Sequence, residues 1–409
     1  MAVALQARVV FPVDRPPIEH GFVTIDGKRI VAVGTDAATN EVVDLGSVAL
    51  LPGLVNAHTH LEFSYLSRPI GAAGMPLVDW IRLVIAERGR GDYRRDDAIA
   101  AGLGESLRHG VTTIGDISSG SATMSYGGVD LTAFVEVIGF SRARAKSVHA
   151  TMVERIDEFE RAGNQIQVGI SPHAPYTVSP KLLTALVKLA HDRNVPVAMH
   201  VAESREELEF VHDGSGPFQE LLEERSMWDD RAIPRGSRPL NYLWRLAVAP
   251  RVLVVHGNFL REDERAFLAA NSQRMTLVYC PRTHSYFAHP PYPLAQALAA
   301  GVHVALGTDS RASSPDLDLL AEMRHVARLH PQLDPQNILR MGTLAGAKAL
   351  GRADEVGSIT PRKLANLVAL PLPDDAGAAP SELLGAILAD DAMPCGVWQR
   401  GSVTRLSES

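Results

Sequence analysis

The chain has 409 residues, of which 46% are hydrophobic and 21% charged, with a formal net charge of −7. That is an ordinary globular balance, and the negative charge argues against a nucleic-acid-binding surface, which needs a basic stripe. No apolar run reaches the roughly 18 residues of a membrane helix, and only two cysteines, Cys280 and Cys395, are present, so a disulfide framework is excluded and a reducing cytoplasm is expected.

The first residues, Met1-Ala-Val-Ala-Leu-Gln-Ala-Arg8, lack the basic start and apolar core of a secretory signal. Residues 1–52 then read as short strands rich in β-branched side chains, with Asp26-Gly27 as a hairpin signal. From residue 53 the pattern changes. Continuous apolar runs at 54–58, 111–116, 133–140, 166–171, 196–201, 252–256, 275–280 and 302–308 alternate with helical periodicity at 77–88, 96–108, 153–162, 180–194, 205–212, 262–270 and 293–300. Eight apolar strands alternating with helices predict a (β/α)8 barrel, an α/β fold whose strands are buried on both faces. The stretch 213–250, with Gly214-Ser-Gly-Pro217 and Pro234-Arg-Gly-Ser-Arg-Pro239, reads as a long connection between strands five and six, of the kind that often covers an active site.

After the eighth strand, 315–329 and 335–350 read as helices, and segments beginning at Asn366, Ala386 and Val397 return to strand character. The expected organisation is a barrel over 53–365 and a small β-sandwich built jointly from 1–52 and 366–409.

In such a barrel, chemistry sits at the C-terminal ends of the strands. The first strand ends in Leu51-Pro-Gly-Leu-Val-Asn-Ala-His-Thr-His-Leu61. Residues i and i+2 of a strand share a face, so His58 and His60 can converge on one metal ion. Strand four ends in Ser171-Pro-His173-Ala-Pro-Tyr-Thr177, strand five in His200-Val-Ala-Glu203, strand six in His256-Gly257 and strand eight in Leu306-Gly-Thr-Asp309. Taken singly, each has a plain structural reading: a core histidine, an N-cap aspartate, a carboxylate opening a helix. Cys280 reads as a small buried residue. Jointly, strands one, five, six and eight deliver metal-competent or titratable groups to one rim, with His173 of strand four beside them.

The order His58-x-His60, His200, His256, Asp309 resembles the amidohydrolase superfamily, and the match runs over essentially the whole chain. Strand four offers no bridging lysine, and His200-Val-Ala-Glu203 and Leu306-Gly-Thr-Asp309-Ser310 are similar to motifs of the mononuclear branch. That branch includes the adenosine, S-adenosylhomocysteine, methylthioadenosine, guanine and aminodeoxyfutalosine deaminases and the triazine chlorohydrolases. The resemblance implies one divalent metal, zinc with iron as the alternative, on His58, His60, His200 and Asp309, with Glu203, His256 and Asp309 in catalysis. It also implies a small-molecule substrate and a homodimer. One departure stands out: Cys280-Pro-Arg-Thr-His284 replaces the branch's Cys-Pro-x-Ser-Asn after strand seven.

The resulting expectation is a hydrolytic deaminase of a purine-type ring, most naturally an adenine nucleoside, with substrate contacts from His173, Arg142, Arg144, Arg282 and His284. Aminodeoxyfutalosine is favoured on the strand-seven departure. The competing expectations are a deaminase or chlorohydrolase of a sugar-free ring (pterin, guanine, triazine) and a barrel that has lost catalysis.

Overall fold

A computed structural model describes residues 1–91, 93–118, 129–143, 145–162, 166–373, 377 and 379–406. Eight parallel strands lie side by side in chain order: Leu54–Thr59, Val111–Ser118, Asp130–Val137, Gln167–Pro172, Val197–Val201, Val252–His256, Met275–Tyr279 and Val304–Leu306. A parallel bridge between Thr59 and Asp309 joins the eighth to the first, so the sheet curls into the expected (β/α)8 barrel. Across that seam the Asn56 amide donates to Thr308 Oγ1 (2.8 Å), and Thr59 Oγ1 donates to the Asp309 carbonyl (2.6 Å).

The strands read as unbroken apolar runs because both their faces are covered. Val55, Ile117, Phe134, Leu253, Val255 and Val278 form the cluster inside the barrel, closed below by Leu350 and Val356. The opposite faces pack on the helices through a second, larger cluster.

The head and tail of the chain share one sheet. Tail strand Leu367–Pro371 pairs antiparallel with head strand Val48–Pro52, in register from Leu367↔Pro52 to Pro371↔Val48. Gly396–Gln399 and Ser402–Leu406 extend it on one side, Val9–Val10 and Ile18–Glu19 on the other. A second sheet holds Ala2–Gln6, Phe22–Asp26, Arg29–Gly34 and Val42–Asp44. The Asp26-Gly27 hairpin is present, with Gly27 at φ 55°, a conformation a two-residue turn needs and glycine adopts freely.

Three expectations change. The segment from Ala386 is helical, part of Pro380–Ala389; its continuous apolar run packs Leu383, Leu384, Ile387 and Leu388 against Leu319, Leu320 and Met323 of helix Leu319–Leu329. Arg324 caps it, donating to the Ile387 and Ala392 carbonyls. The single helix over 335–350 is two, Pro335–Met341 and Leu344–Ala349, broken at Thr343. The long connection over 213–250 contains helices Pro217–Glu224 and Pro239–Leu246. Prolines that read as breaks stand in their first turns, where no backbone N–H is needed.

Candidate active site

The first strand carries His58 and His60 to the C-terminal rim, both almost fully buried. One nitrogen of each, together with one of His200, forms a set whose members lie within 4.8 Å of one another. Asp309 comes back across the barrel seam, its Oδ1 3.9 Å from His58 Nε2 and 3.7 Å from His60 Nε2. His58 Nε2 is buried without a hydrogen-bond partner among the described residues, which demands an explanation in a folded protein. His200 Nδ1 donates to the His173 carbonyl at 2.8 Å, leaving Nε2 as the free lone pair. Burial, the largest influence, and the neighbouring imidazoles hold His58 and His60 well below the usual histidine range, and burial takes His200 down to about 4. Neutral imidazoles converging beside a carboxylate are what a tetrahedral divalent site requires, so the residues fit such an ion.

Glu203 follows His200 at the end of strand five. Its Oε1 is 3.4 Å from His256 Nε2 at the end of strand six. Three non-glycine residues at these strand ends have left-handed backbones: Ala202 (φ 55°), His256 (φ 68°) and Asp309 (φ 56°). That conformation costs on the order of 1–3 kcal/mol each and gathers at functional sites. It is held locally: Glu207 accepts the N–H of Ala202 and of Glu203, and Tyr292 Oη donates to the His256 carbonyl at 2.8 Å. Burial, with help from Asp309 and Glu207, pushes the Glu203 carboxyl well above its ordinary range, and burial lifts Asp309 to about 6.

These groups open into a cavity of about 340 Å³, the size of a small-molecule site. Its floor is His60, His200, Glu203, His256 and Asp309; its wall is apolar, from Leu77, Trp80, Ile81 and Val84 on one side and Leu221, Leu222 and Met227 on the other. Arg82 clasps Glu224 with two hydrogen bonds (2.8 and 3.1 Å), tying these two walls together. A larger cleft, about 560 Å³, opens where strand four begins and is lined by Lys28, Arg29, Arg352 and Arg400. It holds no imidazole and none of the strand-end groups, which open into the smaller cavity instead.

Residues 49–405 match the model of the amidohydrolase family. The chain belongs to the amidohydrolase family. This amidohydrolase is 33% identical over 354 residues to the 5-methylthioadenosine/S-adenosylhomocysteine deaminase of Pyrococcus furiosus, spanning 82% of this chain and 77% of the relative. It is 31% identical to the aminodeoxyfutalosine deaminase of Deinococcus radiodurans over 81% of each chain. Among solved structures it resembles a zinc-bound adenosine deaminase from Xanthomonas campestris, with a TM-score of 0.76 and 26% identity over 99% of this chain and 93% of that one.

The other residues singled out from the amidohydrolase sequence are placed less uniformly. His173 lines the cavity beside His200. Arg142 does not; it is half exposed and paired with Asp229 at 3.0 Å. Arg144 lies outside the described residues. Arg282 is tied to Glu322 (2.6 Å) and Asp316 (2.7 Å), and His284 packs among Tyr279, His289 and Tyr292. Neither lines the cavity. The arginines that do are Arg88 and Arg225. Glu136 also lines it, a residue the sequence reading passed over. Its signal was present: a single charge near the C-terminal end of the otherwise apolar Ala133-Phe-Val-Glu136-Val.

Proposed function

We propose that this amidohydrolase is a hydrolytic deaminase that replaces the exocyclic amine of a purine-type ring by oxygen, releasing ammonia, and that its substrate is an adenine nucleoside of the methylthioadenosine, S-adenosylhomocysteine or aminodeoxyfutalosine kind. The observation that carries this reading is the Glu203–His256 pair, 3.4 Å apart on the rim that also gathers His58, His60, His200 and Asp309. Names of relatives at 30% identity or more point the same way.

The reaction adds water across a ring C=N bond and then expels ammonia, so one proton must reach the ring nitrogen and another the leaving amine. His58, His60, His200 and Asp309 would hold a divalent ion, zinc or ferrous iron suiting that donor set, and such an ion would supply a Lewis acid that lowers the pKa of water toward neutrality. Asp309, buried beside the converging imidazoles, stands where it can take the water's proton. Glu203, kept protonated by burial and by two neighbouring carboxylates, donates to the ring nitrogen and shuttles the next proton to the amine. His256, held neutral, orients the attacking water. Two free cysteines, Cys280 buried and Cys395 half-buried, accord with a cytoplasmic enzyme.

The test is ammonia release from the zinc-loaded protein, offered methylthioadenosine, S-adenosylhomocysteine, aminodeoxyfutalosine, guanine, a pterin and a triazine. Turnover of adenine nucleosides is the expected result. Chloride or a ring-opened product without ammonia would remove the deaminase reading.

A further inference from the structure

One corner of the cavity is idle in the deamination chemistry. Glu136, near the end of strand three, lines the cavity beside His173. Among the described residues no N–H or O–H donates to its carboxylate. Its neighbour His173 holds Nε2 4.0 Å from Glu136 Oε1, too far for a hydrogen bond. The His173 ring is fixed from its other side: Nδ1 is 2.7 Å from Thr177 Oγ1, and the Thr177 proton is directed to the Ala174 carbonyl at 3.2 Å. Nδ1–H is therefore the donor in that contact, and Nε2 faces Glu136 as a lone pair. The corner thus presents three acceptors and no donor, an arrangement that a partner outside the protein must complete.

Charge narrows the partner. Burial raises the Glu136 carboxyl above its ordinary range, and Arg88 lies close enough to work against that shift and favour the ionised form. Its guanidinium hydrogen-bonds Glu62 and sits over the Phe63 ring at 4.9 Å, so it compensates the charge without donating. A cationic ligand would meet Arg88; neutral hydroxyls would not. Two adjacent hydroxyls match the two oxygens of one carboxylate, and the second acceptor 4.0 Å away suits a neighbouring donor. Position narrows it further. The His173 and His200 rings are 5.1 Å apart, so the corner adjoins the place where the aminated ring must lie, and the apolar wall begins beyond it.

We infer that Glu136, with His173 beside it, is the receptor for two neighbouring hydroxyls of a sugar joined to the aminated ring, and that it sets a preference for ribosides over bare or dideoxy compounds. This rests on the deaminase reading. It is tested with methylthioadenosine against its 2′,3′-dideoxy analogue, on the zinc-loaded wild type, Glu136→Gln and Glu136→Ala. A charge-assisted pair of hydrogen bonds predicts a wild-type kcat/KM ratio in favour of the riboside of at least about tenfold. Both variants should collapse that ratio toward unity, mainly through the riboside's KM, with the thermal midpoint retained. Equal turnover of both compounds by wild type, or a ratio that survives in both variants, overturns the assignment while leaving the deaminase reading intact. If neither compound releases ammonia, the deaminase reading falls, and calorimetric binding of the same pair decides whether Glu136 reads the diol: a riboside preference lost in the variants sustains it, and its absence in wild type overturns it.

Discussion

Glu207 holds Glu203 from behind. Its two carboxylate oxygens accept the backbone N–H of Ala202 at 2.7 Å and of Glu203 at 2.9 Å. The same contact fixes the left-handed turn at Ala202 and aims the Glu203 side chain at His256. Glu207 touches neither the converging imidazoles nor the cavity, so it acts through Glu203. Glu207→Ala should lower kcat by about tenfold or more while zinc content stays at wild-type level. Glu203→Gln, which removes the proposed proton carrier itself, should cost about 10²–10⁴-fold. Unchanged kcat in Glu207→Ala, with the protein folded, would show that the turn holds itself.

Glu207 also gives a pH dependence of stability. Burial outweighs its two N–H donors and raises its carboxyl from 4.5 to about 7. The unfolded carboxyl loses its proton near 4.5 and the folded one near 7, so between these values the folded state binds more protons. Stability conferred by the protonated group is complete below pH 4.5 and is lost as pH rises through 7. In chemical denaturation, the wild type's unfolding free energy relative to Glu207→Gln should fall by on the order of 3 kcal/mol across that window. A flat difference would mean the folded carboxyl titrates in the ordinary range.

The site should bind metal as a unit. Removing one of three converging imidazoles leaves the others with an incomplete set, so His58→Ala and His200→Ala should purify without stoichiometric zinc. Chelation of the wild type should lower its thermal midpoint, since a ligand at about a thousand times its Kd stabilises the folded state by about 4 kcal/mol. Full metal occupancy in both variants, measured by atomic absorption, would refute the ligand set.

The opposite end of the barrel is fastened by charge. Asp130, fully buried at the start of strand three, accepts from Arg352 Nη2 (3.0 Å), Asn366 Nδ2 (2.8 Å), Gln399 Nε2 (3.2 Å) and Arg400. Three of those four partners come from the tail, so one carboxylate pins the sandwich to the barrel. Asp130→Asn leaves two arginines without their shared counter-charge, which should cost about 3–5 kcal/mol. Because the pin lies at the strands' N-terminal end, kcat of the folded fraction at low temperature should hold. A thermal midpoint equal to wild type would show that the pin is dispensable.

How much of this was legible in the sequence follows from where the information lies. Barrel strands announce themselves because double-sided burial makes them continuous apolar runs, and His58-x-His60 is readable because strand periodicity fixes which residues share a face. The segment from Ala386 fails the same test, since a buried helix and a buried strand are equally apolar over four residues. Glu207 was invisible because its role is to accept two backbone N–H groups, a contact set by the turn at Ala202 and absent from any spacing. Arg142 and Arg282 attracted notice as basic residues after rim strands. Their partners Asp229, Asp316 and Glu322 come from distant elements, and only the fold shows those guanidiniums already matched.

Arg225 is the residue that this matching leaves over. It lines the cavity beyond the apolar wall, is exposed, and forms no ion pair among the described residues. Arg88, the other arginine on the cavity, is engaged by Glu62. A substrate tail that leaves the ring, crosses Leu221, Leu222 and Met227 and ends in a carboxylate would meet Arg225 at the mouth. An exposed, screened pair of this kind is worth about 1 kcal/mol or less, more where a bidentate fork forms. Arg225→Ala should therefore raise KM for S-adenosylhomocysteine or aminodeoxyfutalosine by roughly three- to tenfold, leave KM for methylthioadenosine unchanged, and leave the thermal midpoint alone. Steady-state kinetics on the three nucleosides decide it. An equal change for all three would mean that Arg225 shapes the cavity mouth without reading charge, and no change for any would put the anionic end of the tail in solvent.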